Sequence, residues 1–99
     1  MARYDVFVGP YEGSYLLDVQ SDLLDHLKSR VVVPLLPAAD VPPPVRRLNP
    51  SFEIGDDNVV MATHLVGAVA LSELGAKLAN LGQHHDQVVA ALDMLFQGF

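Results

Sequence analysis

The chain is 99 residues long, 51% hydrophobic and only 18% charged, with twelve acids against six Lys and Arg for a net charge of −6. That length holds one domain, residues 1–99, around a single modest core. The absence of cysteine excludes disulfides, thiol catalysis and most structural zinc sites, and the acidic balance is the wrong sign for a protein that neutralises phosphates by itself. An acidic surface fits instead a partner with basic patches, which can itself be a DNA-binding protein. Half the residues being apolar is more than so small a core encloses, so a homodimer interface is expected. The longest apolar run, Val31 to Ala39, is broken by Pro34 and Pro37 and falls far short of a membrane span. The opening Met1-Ala2-Arg3-Tyr4-Asp5 has no signal-peptide core, which predicts a cytoplasmic protein.

Taken in order, Tyr4 to Val8 reads as a strand, Gly9-Pro10-Tyr11-Glu12-Gly13 as a turn, and Tyr15 to Val19 as the returning strand of a hairpin. Gln20 to Ser29 is polar and mixed, a loop with one helical turn around Asp22 to His26. Arg30 to Leu36 is β-branched and the strongest strand of the chain. Pro34 within it lacks a donor, which places it on a sheet edge or at a bulge. Pro42-Pro43-Pro44 forms a stiff connector. Phe52 to Ile54 and Asn58 to Ala62 flank Gly55-Asp56-Asp57 as a second hairpin. Leu65 to Leu71 reads as a short strand and Leu71 to Leu81 as a helix weakened by Gly75 and Gly82.

A final helix runs from about Gln83 to Gln97, with His85, Val88, Val89, Leu92, Leu95 and Phe96 on one buried face. Gly98 frees the backbone, and Phe99 follows as an aromatic beyond the helix. A helix tip that presents an aromatic reads as a docking point for another protein. Five or so short strands with one terminal helix make an α+β domain with an antiparallel sheet.

Catalytic and metal motifs are weak. His84 and His85 point about 100° apart on a helix and chelate one ion poorly, and Asp18, Asp22 and Asp25 lack the glycine and glutamate of a calcium loop. No serine sits in a nucleophile elbow, and no glycine cluster forms a phosphate loop. Neither a metal nor another cofactor is expected. Arg30 has two readings: a guanidinium facing a functional groove, or a stem laid on apolar surface with its head on a nearby acid.

Four stretches, in order, resemble the CcdB family of bacterial toxins: Asp18-Val19-Gln20-Ser21-Asp22, Arg30-Val31-Val32-Val33-Pro34-Leu35, Ile54-Gly55-Asp56, and Met94-Leu95-Phe96-Gln97-Gly98-Phe99. The resemblance covers essentially the whole chain. It implies a small SH3-like β-barrel with a C-terminal helix, a homodimer, and a protein that is not an enzyme. It implies binding to the A subunit of DNA gyrase with trapping of the cleaved complex. It further implies neutralisation by a CcdA-type antitoxin with a disordered segment, and operator DNA reached only through that antitoxin.

In the family the last three helix residues, typically Trp-Gly-Ile, carry gyrase contact; the corresponding positions here are Gln97, Gly98 and Phe99. Gly98 matches and Phe99 keeps a large apolar side chain, whereas Gln97 lacks the area and π face of Trp. Phe99 then takes over as anchor, or the recognised surface differs, or the chain keeps antitoxin binding without poisoning gyrase. Arg3, Tyr4, Tyr15 and Arg30, with the Gln20 to Arg30 loop, are the corresponding antitoxin surface, although His26-Leu27-Lys28-Ser29-Arg30 departs from the family's Pro-Gly-Arg-Arg. The alternative on the same fold is a ribonuclease of the MazF or Kid type, built on Arg30 with Ser29 or Ser51.

Overall fold

The structure, a computed structural model, describes residues 2–99. Seven antiparallel strands form it: β1 (Asp5–Val8), β2 (Tyr15–Asp18), β3 (Ser29–Pro37), β4 (Ser51–Ile54), β5 (Asp57–Met61), β6 (Gly67–Ala70) and β7 (Lys77–Asn80), followed by one helix, α1 (His85–Gln97). The sheet order is β4-β5-β3-β2-β1-β7, with β6 added on β3. This curled half-barrel sheet with one C-terminal helix is the α+β, antiparallel fold expected from the chain.

The nine-residue β3 organises the curl. One edge pairs with β2 from Tyr15↔Leu35 to Asp18↔Val32; the other pairs first with β6 (Ser29 to Val32) and then with β5 (Leu35 to Pro37). Pro34 lies in the gap between those two partners, and its carbonyl accepts from Ala62 N–H at 2.9 Å. The proline is therefore on neither a sheet edge nor a bulge. Its missing donor falls where the ladder changes partner, so no bond is lost there.

Strand alternation sends Val6, Leu17, Val33, Leu35, Val59 and Met61 into a common core with Phe52, Ile54 and Leu81. A one-residue slip of β3 would exchange that set for Val32, Pro34 and Leu36, so the core fixes the register. The helix closes it with Val88 and Ala91, fully buried, and with Leu92 packed alongside.

Three expectations are corrected. Leu71 to Leu81 is not a helix: Leu71–Glu73 makes a single 3₁₀ turn, and Lys77–Asn80 pairs with β1 from Asp5↔Asn80 to Phe7↔Lys77. Sheet pairing overrides a helical pattern that two glycines had already weakened. The strands among the described residues number seven instead of about five. On α1, His85 and Phe96 are exposed, because the core covers only the helix's middle turns.

The β1–β2 turn depends on Gly9. Its N–H donates to Ser14 O at 3.0 Å, and a Cβ there would stand 2.3 Å from Ser14 Oγ and 2.6 Å from the Ser14 carbonyl carbon. Backbone cannot yield as a flexible side chain does, so Gly9→Ala should cost about 1–3 kcal/mol. Thermal denaturation followed by circular dichroism should show a midpoint lower by on the order of 10 °C; an unchanged midpoint would mean the turn is looser than this geometry.

Candidate functional site

The helix runs beyond the core it covers. Val88 and Ala91 are buried and Leu95 is half-buried, but one residue later Phe96 is 71% exposed, and Phe99 is 67% exposed. Between them, Gln97 turns back along the helix, its Nε2 donating to Asp93 Oδ1 at 3.1 Å. Gly98 terminates the helix in the left-handed region at φ 81°, with its N–H on Met94 O at 3.1 Å. The tip therefore offers two solvent-facing aromatic side chains flanking a glutamine. An exposed Phe gains about 1.5–3 kcal/mol when a partner buries it fully.

The residues assigned to the antitoxin surface are not gathered into one place. Tyr4 and Tyr15 lie at opposite ends of the β1–β2 ladder, in which Val8 faces Tyr15 and Tyr4 N–H meets Asp18 O. Arg3 lies 4.8 Å over the Tyr4 ring, its Nε donates to Val19 O, and its N–H donates to Asp22 Oδ1. Tyr15 donates its hydroxyl to Asp57 in the β4–β5 hairpin.

Tyr4 is itself buried, at a left-handed φ of 74° held by the bonds to Asp18 O and from Leu81 N–H. Its hydroxyl shares a hydrogen bond with His85 Nδ1, which ties the start of α1 to the sheet. Burial pushes the phenol above its ordinary 10.0, so it stays neutral. Tyr4→Phe removes only that bond, and a loss of about 1 kcal/mol is expected in urea denaturation. A variant as stable as the parent would show that the tether does not hold α1.

Arg30 does not reach the surface at all. It is 1% exposed, with Nε donating to Asp18 Oδ2 at 2.8 Å and Nη2 2.6 Å from the same oxygen. Asp18, 0% exposed, also accepts from Gln20 N–H at 3.0 Å. Of the two readings of this arginine, the head on a nearby acid is the one observed, although in the interior. Burial pushes the Asp18 carboxyl above its ordinary 3.8 even with Arg30 and the Gln20 amide pulling it down. Ser29 and Ser51 are exposed, and neither has this guanidinium beside it in solvent.

Two exposed features escaped the reading of the sequence. Helical spacing assigned Phe96 to the buried face, and only the extent of the core shows otherwise. The other is Leu23, 87% exposed in the 3₁₀ turn Asp22–Leu24, which Ser21 caps by accepting from Leu23 N–H. Its signal was two adjacent leucines inside a mostly polar loop.

No helix among the described residues is long and apolar enough to cross a membrane. The family model described as CcdB protein matches residues 3–98. Among solved structures, an endoribonuclease in complex with its cognate antitoxin, from mycobacterial species, is similar with a TM-score of 0.76. The match is 16% identical and covers 96% of this chain and 93% of that one, a likeness of fold.

Proposed function

The chain belongs to the CcdB family, and on that premise we propose that it is the toxin of a toxin–antitoxin pair. It binds the A subunit of DNA gyrase through its helix tip and traps the cleaved complex, acting by binding without catalysis of its own. One observation carries this reading: Phe96 and Phe99 stand in solvent on either side of Gln97. A surface of that kind is costly to leave uncovered and supplies the aromatic area that glutamine lacks. In a homodimer the two tips would be related by a two-fold axis and would present a paired aromatic surface to a dimeric target. A CcdA-type antitoxin neutralises the toxin, and toxin and antitoxin together regulate their operon through the antitoxin's DNA-binding part. The ribonuclease alternative needs an arginine free to meet a scissile phosphate, and Arg30 is enclosed with Asp18.

The test is a cleavage assay with purified protein, ATP, supercoiled plasmid and gyrase from the host of the chain. Accumulation of linear DNA supports the proposal; supercoiling that proceeds with no linear product overturns it.

A further inference from the structure

Cations are scarce on this chain, six Lys and Arg against twelve acids, and half of them are already committed. Arg30 is enclosed with Asp18, Lys77 reaches Asp5 at 3.4 Å, and Arg3 is held by Val19 O and the Tyr4 ring. Lys28, exposed, stands alone ahead of β3. Arg46 and Arg47 differ from all of these. They are adjacent and exposed, and neither forms a salt bridge among the described residues.

The turn that carries the pair is held from both sides. Val45 N–H donates to Asn49 Oδ1 at 3.0 Å and Asn49 N–H donates to Val45 O at 3.0 Å, closing residues 45–49 into one turn. Asn49 Nδ2 donates to Met61 O at 3.0 Å and Thr63 Oγ1 donates to Leu48 O, which fastens the turn to β5 and to the 3₁₀ turn Thr63–Leu65. Pro43, Pro44 and Pro50 fix φ on either side. Within this frame Arg47 holds a left-handed φ of 69°, which a bulky residue rarely adopts. Such a conformation persists only where its surroundings over-determine it, and it gathers at functional sites. Two guanidinium groups thus stand on a stiff base, so little loop order is lost when they meet a partner.

Charge says what they meet. The toxin reading brings this chain to duplex DNA twice: to the segment that gyrase holds cleaved, and to the operator that the antitoxin holds. At a net charge of −6, most of the surface is repelled by phosphates in either place. The turn at 45–49 is where two adjacent cations can face a duplex. Asp40 and His64 lie along the same side of the fold as Val45 and Leu48, and Asp40 forms no ion pair with either arginine. An arginine fork also matches the oxygens of a phosphate, as the point charge of a lysine does not.

We infer that the Arg46–Arg47 turn contacts the phosphodiester backbone of duplex DNA that a partner protein holds against the toxin. The contact reads no sequence. It orients an acidic protein on DNA and adds a salt-dependent share to an affinity set elsewhere. The inference rests on the toxin reading, because two arginines on so acidic a chain do not retain DNA unaided at ordinary salt.

The first probe is a short duplex oligonucleotide, added to the full chain at about 50 mM salt and followed by the backbone amide signals of residues 45–49 in NMR. Those signals should shift first, and the apparent affinity should fall about tenfold by about 200 mM salt, as two phosphate contacts require. The response should vanish in Arg46→Ala/Arg47→Ala, persist in Arg46→Lys/Arg47→Lys, and be unchanged in Lys28→Ala. Each variant should keep the parent's melting temperature, since all three side chains are exposed. No response at residues 45–49, or the same response in the alanine variant, overturns the inference.

Two further arms identify the source of the DNA. With host gyrase and supercoiled plasmid, the alanine variant should need more protein for half-maximal linear DNA, while its binding to gyrase without DNA matches the parent's. If linear DNA is unaffected, the operator is the source. The toxin–antitoxin complex on its promoter duplex should then lose about 1.8 from the slope of log affinity against log salt, roughly 0.9 for each phosphate. No change in either arm overturns the inference. So does equal weakening of gyrase binding without DNA, because the arginines then meet protein. A parent chain that yields no linear DNA sinks the gyrase reading alone and leaves the contact to the oligonucleotide and operator arms.

Discussion

Asp18→Ala is expected to destabilise the domain by about 3–5 kcal/mol, because it leaves the Arg30 guanidinium buried with no counter-charge. A domain of this size is stable by only about 5–15 kcal/mol, so the variant should melt on the order of 20 °C lower. The damage would spread beyond the pair. Gln20, which donates its N–H to Asp18, also accepts from Val31 N–H at 3.1 Å and donates Nε2 to Leu24 O at 3.0 Å. Asp18 thereby helps to hold the loop that presents Leu23.

The pair itself is not a net source of stability. Desolvation outweighs attraction at Asp18, whose carboxyl sits above its ordinary value despite the adjacent cation. Replacing both partners together, as Asp18→Leu/Arg30→Met, should recover most of the loss and finish within about 2 kcal/mol of the parent. Urea denaturation with an unchanged slope checks both arms. A single variant losing less than about 1 kcal/mol, or a double variant as damaged as the single, would show that the charges are not enclosed as described.

How much of this was legible in the sequence depends on the range of the interaction. The β1–β2 and β4–β5 hairpins were visible, because Gly9, Gly13 and Gly55 mark turns between short apolar runs. The β-branched run of β3 was visible for the same local reason. The Asp18–Arg30 pair was not, since those residues meet only through the register of β2 on β3. β7 was lost because Lys77 to Asn80 has no strand propensity of its own and is held by pairing with β1. The final helix was legible in period but not in depth. Its spacing placed Phe96 on the inner face, and nothing local revealed that the core stops short of the last turn. The Arg46–Arg47 turn shared this limit: the pair was evident in the chain, but the bonds that fasten it through Leu48 and Asn49 to Thr63 and Met61 form only in the fold.

At the helix tip, Phe96→Ala and Phe99→Ala should each raise the protein concentration needed for half-maximal linear DNA by roughly 30-fold, the effect of an interface anchor worth about 2 kcal/mol. Both side chains are mostly in solvent, so neither substitution should move stability by more than about 0.5 kcal/mol. That separation of function from stability distinguishes a docking residue from a packing one. Gln97→Trp supplies the converse. The glutamine's one side-chain bond, to Asp93 Oδ1, is open to solvent, so little is lost with it, while an indole adds aromatic area between the two phenylalanines. Linear DNA should then form at lower protein concentration than with the parent chain. If both alanine variants matched the parent and the tryptophan gained nothing, the tip would not be the surface that meets gyrase. Loss with Phe96→Ala alone would instead centre the contact on the last helical turn, making the aromatic that periodicity placed inside the anchor that takes the place of the family's Trp.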